Sequence, residues 1–214
     1  MKKLFIEAKY TGNIKLVIEK SLKLLPKKVG LVTTIQHKHQ LKHIKEIIEK
    51  AKKKAVIGGQ ILGCDVNAAK KIKNKVDAFL YIGSGKFHPL GVALETNKKV
   101  VVANPLSNEI SEIKKQDVEN YNKKQKGALI KFLSSKTVGI LVSLKPGQQK
   151  LEQALSLRKH LKSKKSYIFI ADTLDLNQLE NFPFIECWIN TACPRIVDKT
   201  KGIINYDSIR RYVR

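Results

Sequence analysis

The sequence predicts an α/β protein of two similar small domains, each a parallel sheet flanked by helices, on three observations. Short apolar runs alternate with amphipathic segments from one end of the chain to the other. The pattern repeats itself, with an offset near 108 to 112 residues. Glycine-rich and polar residues fall directly after the apolar runs, as at the carboxyl edge of a parallel sheet.

The first apolar run, Leu4–Ala8, reads as a strand. A helix follows in which Ile14, Val17, Ile18, Leu22 and Leu25 recur at helical spacing and stop before Pro26. Val29–Thr33 is the next strand, and Leu41, Ile44, Ile48 and Ala51 mark the next helix. Strands are then expected at Ala55–Ile57, Ala78–Ile82 and Val100–Ala103. The polar stretch Glu112–Lys126 is expected as a linker or crossing helix between a domain over residues 1–112 and a second over 113–214. In the second domain come Val138–Ser143, a helix carrying Leu151, Ala154, Leu155 and Leu161, and strands at Tyr167–Ala171 and Cys187–Asn190. Most of these runs are continuously apolar, as expected for strands covered on both faces. The repeat pairs "VGLVTT" with "VGILVS", "AVIGG" with "YIFIAD", and "FLYIGSG" with "CWINTAC".

A chain of 214 residues, 43% apolar and 28% charged, can bury a real core. No apolar run approaches the ~18–20 residues that span a bilayer, and Glu7 and Lys9 interrupt the stretch a secretory signal would need. A cytoplasmic protein with no membrane partner is expected. Lys and Arg number 42 against 18 Asp and Glu, a net +24. The excess is spread along the chain, with 22 basic and 8 acidic residues in 1–110 and 20 and 10 in 111–214. Such a field attracts anions, RNA included. Only five of the 42 are Arg, however, and aromatic residues make up 7%. Base recognition draws on both, so exposed lysine on helix faces is the expected explanation and a nucleic-acid partner is not. Three cysteines without a C-x-x-C pair speak against a disulfide framework and against zinc.

The loops after the runs carry the candidate chemistry. "TTIQHKHQ" holds His37 and His39, with His43 one turn on, a spacing open to metal ligation but more often found capping a helix or facing solvent. "GSGKFHP" has glycines that could expose backbone N–H groups, but it lacks the phosphate-loop spacing and no helix is clearly announced after it. Cys187, inside a strand beside Trp188, reads as a small buried hydrophobe. Cys64 in "GGQILGCD" and Cys193 in "TACPR" are different, since both sit in loops at the expected rim. From the residues alone, each is open to a nucleophile served by His37 or His88, to an iron–sulfur ligand, or to no role.

Taken in order, "VGLVTTIQHKHQL", "GGQILGCD", "DAFLYIGSGKFHPLGVAL", "VVVANP" and "WINTACPRI" resemble the archaeal diphthamide synthase family, the 2-(3-amino-3-carboxypropyl)histidine synthases. The resemblance implies three similar α/β domains around a central site, each giving one cysteine to a 4Fe–4S cluster whose open iron takes S-adenosylmethionine. It implies cleavage of the bond from sulfur to the aminocarboxypropyl group, and transfer of that group to a histidine of translation elongation factor 2. Cys64 then stands at the middle-domain ligand and Cys193 at the last-domain ligand. Gln36, His37, Gly59, Gln60, Gly83, Ser84, Gly85, His88 and Pro89 would line the S-adenosylmethionine pocket.

The family's first domain and its cysteine have no counterpart in this sequence. The two repeats would be the middle and last domains, and a separate chain would carry the third thiol. A non-catalytic accessory or docking subunit and a fragment are the alternatives, and an RNA-binding module is a weaker one. A dimer is left open.

Overall fold

A computed structural model describes Leu4, Ile6 and residues 8–199 and 202–213, the side chains of 198 and 199 excepted. Of the strand expected over Leu4–Ala8, Leu4, Ile6 and Ala8 are described and form no strand, and residues 5 and 7 lie outside the described residues. The chain divides into two compact units, Met1–Val118 and Glu119–Arg214.

In the first unit, β1 (Lys28–Thr33), β2 (Lys54–Gln60), β3 (Ala78–Ile82), β4 (Lys99–Asn104) and β5 (Glu109–Glu112) form one sheet in the order β2-β1-β3-β4-β5. The first four are parallel and β5 is antiparallel to β4. Helices α1 (Lys15–Ser21) and α2 (Leu41–Lys50) bring Val17, Ile18, Leu41, Ile44 and Ile48 onto one face of the sheet. Helices α3 (Asn67–Lys70) and α4 (Phe87–Thr96) bring Ala69, Val92 and Ala93 onto the other. Both faces are therefore covered, which is why β3 is buried at all five residues. A helix does follow "GSGK". It closes on Asn97 in the left-handed region (φ 54°), whose N–H donates to the carbonyl of Ala93 at 2.9 Å.

Helix α5 (Lys115–Ser134) carries the chain from one unit to the next. Val118 packs on the first core, and Ala128, Leu129 and Phe132 pack on the second. In the second unit β6 (Thr137–Ser143), β7 (Lys165–Ala171), β8 (Cys187–Asn190) and β9 (Ile203–Asn205) form an all-parallel sheet in the order β7-β6-β8-β9. Helix α6 (Leu151–His160) and α8 (Tyr206–Ile209) cover one face, while α7 (Ile196–Lys199) and a cluster of Phe169, Phe182 and Trp188 cover the other. The core-facing stripe of α6 is Ala154, Leu157 and Leu161. Leu155, expected there, lies off the i, i+3, i+7 stripe and is exposed.

The two sheets share one strand order, second-first-third-fourth. They also share a packing device: Gly30 pairs across β1 and β3 with Phe79, and Gly139 pairs across β6 and β8 with Trp188. A Cβ at either glycine would meet that ring at 2.7 or 2.4 Å, so a bulky aromatic lies over the central strand in each unit. Strands β5 and β9 are additions to the expected set.

Candidate functional site

Parallel strands place four carboxyl ends on one edge of each sheet. In an order of 2-1-3-4 the helices after the first and third strands leave to opposite faces, which opens a crevice between those two strand ends. In the first unit Thr33, Gln60 and Ile82 end level with one another, and the Thr33 hydroxyl donates to the Ile82 carbonyl at 2.7 Å. That rule sets the ligand-binding edge of this unit between the loop of Thr34–Gln40 and the loop of Gly83–Lys86.

His37 is the buried member of the first loop, 5% exposed. Its ring packs on Tyr10 with centroids 5.0 Å apart, and Nδ1 lies 3.3 Å from Gln40 Oε1. Burial holds this imidazole below its ordinary range, against the pull of the Gln40 hydrogen bond, and the charge of His39 adds to the lowering. Of the capping or solvent-facing placements expected of it, the second is replaced by burial. The neighbours His39 and His43 are exposed, so the three histidines form no common ligand set. The Gln36 side chain is exposed and its carbonyl accepts from the Tyr10 N–H at 3.0 Å.

Strand β2 ends in a bulge. Leu31 pairs with Ile57 and Val32 with Gly59, which leaves Gly58 as an extra residue and puts Gly59 at φ 109°. The bulge redirects the chain into Gln60 and the thiol loop. Leu62 and Asp65 then close a tight turn by exchanging backbone hydrogen bonds of 2.8 and 3.1 Å, with Gly63 and Cys64 at its tip. Cys64 is exposed. Gly63 lies flat against the Phe87 ring at the start of α4, where a Cβ would sit 1.6 Å from the ring's Cε1. Beyond it the rings of His88 and Tyr81 stack at 6.1 Å, and Pro89 is buried in the first turn of α4. The Tyr81 hydroxyl reaches the Ser84 carbonyl at 3.5 Å, and burial pushes it up to about 12. Gly83 and Gly85 both take positive φ, at 147° and 74°, while Ser84 is exposed between them. All the expected residues of this unit therefore sit on the rim or the first turn behind it.

In the second unit Cys193 lies on the loop Thr191–Arg195, which follows β8. The thiol is half-buried. It lines a cavity of about 640 Å³ with Leu174, Asp175 and Asn177 from the loop after β7 and Arg195 from its own. Asn190 and Asn205 end β8 and β9 side by side, and their amides bond the turn that carries Cys193. Cys187 is fully buried in the core, and desolvation pushes its thiol up to about 11, with Lys131 and Lys164 pulling the other way.

Tyr10, Tyr81, Phe87, Asn190 and Asn205 escaped the reading of the sequence. Asn190 alone carried a local signal, as a polar residue closing an apolar run. Thiols are the donors an iron–sulfur cluster takes, and Cys64 and Cys193 present them on rim loops. Among the described residues, no three His, Cys, Asp or Glu side chains converge as a metal-binding group. Each unit thus presents one thiol of the donor type that such a cluster takes.

These features define a doubly wound α/β protein with cysteine-bearing loops at the ligand-binding edges of its sheets. The model of the diphthamide synthesis protein family matches residues 1–200, and this chain belongs to that family. It is 36% identical over 186 residues to the 2-(3-amino-3-carboxypropyl)histidine synthase of Pyrococcus horikoshii, covering 82% of this chain and 52% of that protein. To the enzyme of the same name from Methanocaldococcus jannaschii it is 34% identical over 195 residues, covering 89% and 52%. The crystal structure of Dph2 from Pyrococcus horikoshii with a 4Fe-4S cluster matches with a TM-score of 0.83 at 30% identity, over 96% of this chain and 63% of that one. The chain spans about half the length of the curated relatives it matches.

Proposed function

We propose that this chain forms part of a 3-amino-3-carboxypropyl transferase that modifies a histidine of translation elongation factor 2, the first step of diphthamide biosynthesis. In this reading it works in the cytoplasm as the middle and last domains of the family's arrangement. Cys64 and Cys193 hold two positions of a 4Fe–4S cluster, and a separate chain of the same α/β type, about 100 residues long, supplies the third thiolate. The observation that carries the reading is the placement of both loop thiols at the ligand-binding edge, in a chain whose relatives bear the synthase name.

A bound cluster with one open iron supplies the electron and the coordination site that S-adenosylmethionine cleavage needs. The chain's own residues position the reactants. Gly59, Gly83 and Gly85 let backbone approach a bulky cofactor closely, with Gln36, Gln60, Ser84, His88 and Pro89 around them. His37, held neutral by burial, lines the pocket without repelling the sulfonium cation of S-adenosylmethionine.

Anaerobic reconstitution with iron and sulfide tests the reading. The expected result is a brown cluster that strengthens when the partner chain is added and fails in Cys64→Ala and Cys193→Ala. If both variants keep cluster and transfer activity in the assembled complex, the proposal is wrong. A docking subunit would instead support transfer with Cys64 replaced.

A further inference from the structure

The loop that carries Cys193 has little apolar burial to hold it. Ala192, Cys193 and Pro194 are only half-buried, Arg195 is exposed, and the segment has no regular secondary structure before α7. Beside the Ile196 N–H, which donates to the Cys193 carbonyl at 3.1 Å, side-chain hydrogen bonds from the ends of two strands hold it. Asn190, 2% exposed, donates from Nδ2 to the Cys193 carbonyl at 2.9 Å and to Asn205 Oδ1 at 2.7 Å. Its Oδ1 accepts from the Ala192 N–H at 3.0 Å. Asn205 Nδ2 donates onward to the Pro194 carbonyl at 3.3 Å. One amide thus grips the residue before the cysteine and the cysteine itself, and a second grips the residue after it.

The chemistry of this grip is specific. Asn190 faces two acceptors and one donor, so its amide nitrogen must point at the carbonyls and its oxygen at the N–H. Aspartate offers only acceptors, and alanine or leucine offers nothing. The opposite wall of the loop is fixed separately, by the Thr191 hydroxyl on the Leu141 carbonyl at 2.8 Å.

We infer that Asn190, backed by Asn205, is a positioning residue that fixes the Cys193 thiol over the cavity beside it. The inference rests on the reading of Cys193 as a cluster ligand. The amide pair presets the backbone on both sides of the thiol before any cluster binds. The Cys64 loop is held differently, by its own turn, by Asp65 Oδ1 accepting from the Asn67 N–H at 3.0 Å and by the Gly63–Phe87 contact.

The three thiols of the chain make the test self-referenced. The native, cluster-free chain is alkylated with iodoacetamide, and the rate at each cysteine is read by peptide mass spectrometry. Cys64, exposed, is the reference, and Cys187, buried, reports unfolding. Asn190→Ala should raise the Cys193-to-Cys64 rate ratio about tenfold, as expected for losing two or more hydrogen bonds of ordinary net strength. Asn205→Asp keeps the bond from Asn190 but loses the one to Pro194, and should raise it about threefold. Should Asn190→Ala not fold, reported by fast alkylation of Cys187, Asn205→Asp carries the test. An unchanged ratio in a folded variant overturns the inference. In the complex reconstituted with the partner chain, Asn190→Ala should retain less iron than the native chain although every cysteine is present. Full iron retention there overturns the link to the cluster. A Cys193→Ala complex that keeps its cluster overturns the ligand assignment instead, and the alkylation ratio still judges the grip.

Discussion

Replacing Gly63 with alanine should destabilise the first unit through one identifiable collision. The added methyl would stand 1.6 Å from Cε1, 2.2 Å from Cδ1 and 2.5 Å from Cζ of Phe87. Carbon atoms rest about 3.5–4.0 Å apart, so the ring would have to retreat by about 2 Å. Phe87 begins α4 and stands edge-on to His88 at 5.6 Å, which limits that retreat. A forced contact of this kind costs about 1–3 kcal/mol. Urea unfolding of Gly63→Ala, Phe87→Ala and the double variant measures it. With the ring removed the methyl has room, so the double variant should be more stable than the two single effects added together, by about 1 kcal/mol or more. Simple additivity, or a single Gly63→Ala loss below about 0.5 kcal/mol, would refute the collision and with it the account of how the Cys64 turn is seated.

Two further outcomes concern buried titratable groups. His37 has a lowered folded-state pKa, so the stability it allows is present above the ordinary value of 6.5 and is lost as pH falls, because the unfolded chain takes the proton first. Stability should therefore decline from pH 7 towards pH 5.5, with a shallower decline in His37→Gln; equal slopes would show that the ring titrates freely. Cys187 has a raised pKa of about 11, so its thiol stays protonated where an ordinary one ionises. In the folded chain it should resist iodoacetamide at pH 8 while Cys64 reacts, and stability should fall as pH rises from about 9 towards 11 by less in Cys187→Ala. Comparable labelling of Cys187 and Cys64 in the native state would contradict the buried position.

Central strands such as Ala78–Ile82 were legible in advance because burial on both faces demands continuous apolar runs, and the edge strands β2 and β7 were legible from their apolar runs although Ile57 and Ile170 are exposed. β5 was not, since an edge strand reading Glu-Ile-Ser-Glu has one apolar residue and is secured by its pairing to β4 and by the 2.8 Å Lys99–Glu112 ion pair. β9 has only three residues, too few for any periodicity. The rim was legible as a series of polar loops, and both loop thiols with it. What could not be read locally was anything set by a distant partner. His37 is buried by Tyr10, which lies far upstream, and Asn205 matters only because β8 and β9 pair in register.

The internal repeat invites the conclusion that the two thiols are repeat mates, and the topology says otherwise. Under the shared 2-1-3-4 order the loop after β2, which carries Cys64, corresponds to the loop after β7, and the Cys193 loop after β8 corresponds to Gly83–Lys86. Duplication of a half would have placed its cysteines on matching loops. Within each unit, however, the loops after the two strands flanking the central one meet. In the first unit the β2 loop is pressed through Gly63 onto Phe87, the residue that starts the helix behind the β3 loop. In the second, the β7 and β8 loops line one cavity together, with Asp175 from the first and Cys193 from the second. In each unit the thiol stands where the loops of the strands flanking the central strand meet, and it comes from a different one each time. The common task proposed for Cys64 and Cys193 rests on those two positions, and Cys187, buried in the sheet, shares neither.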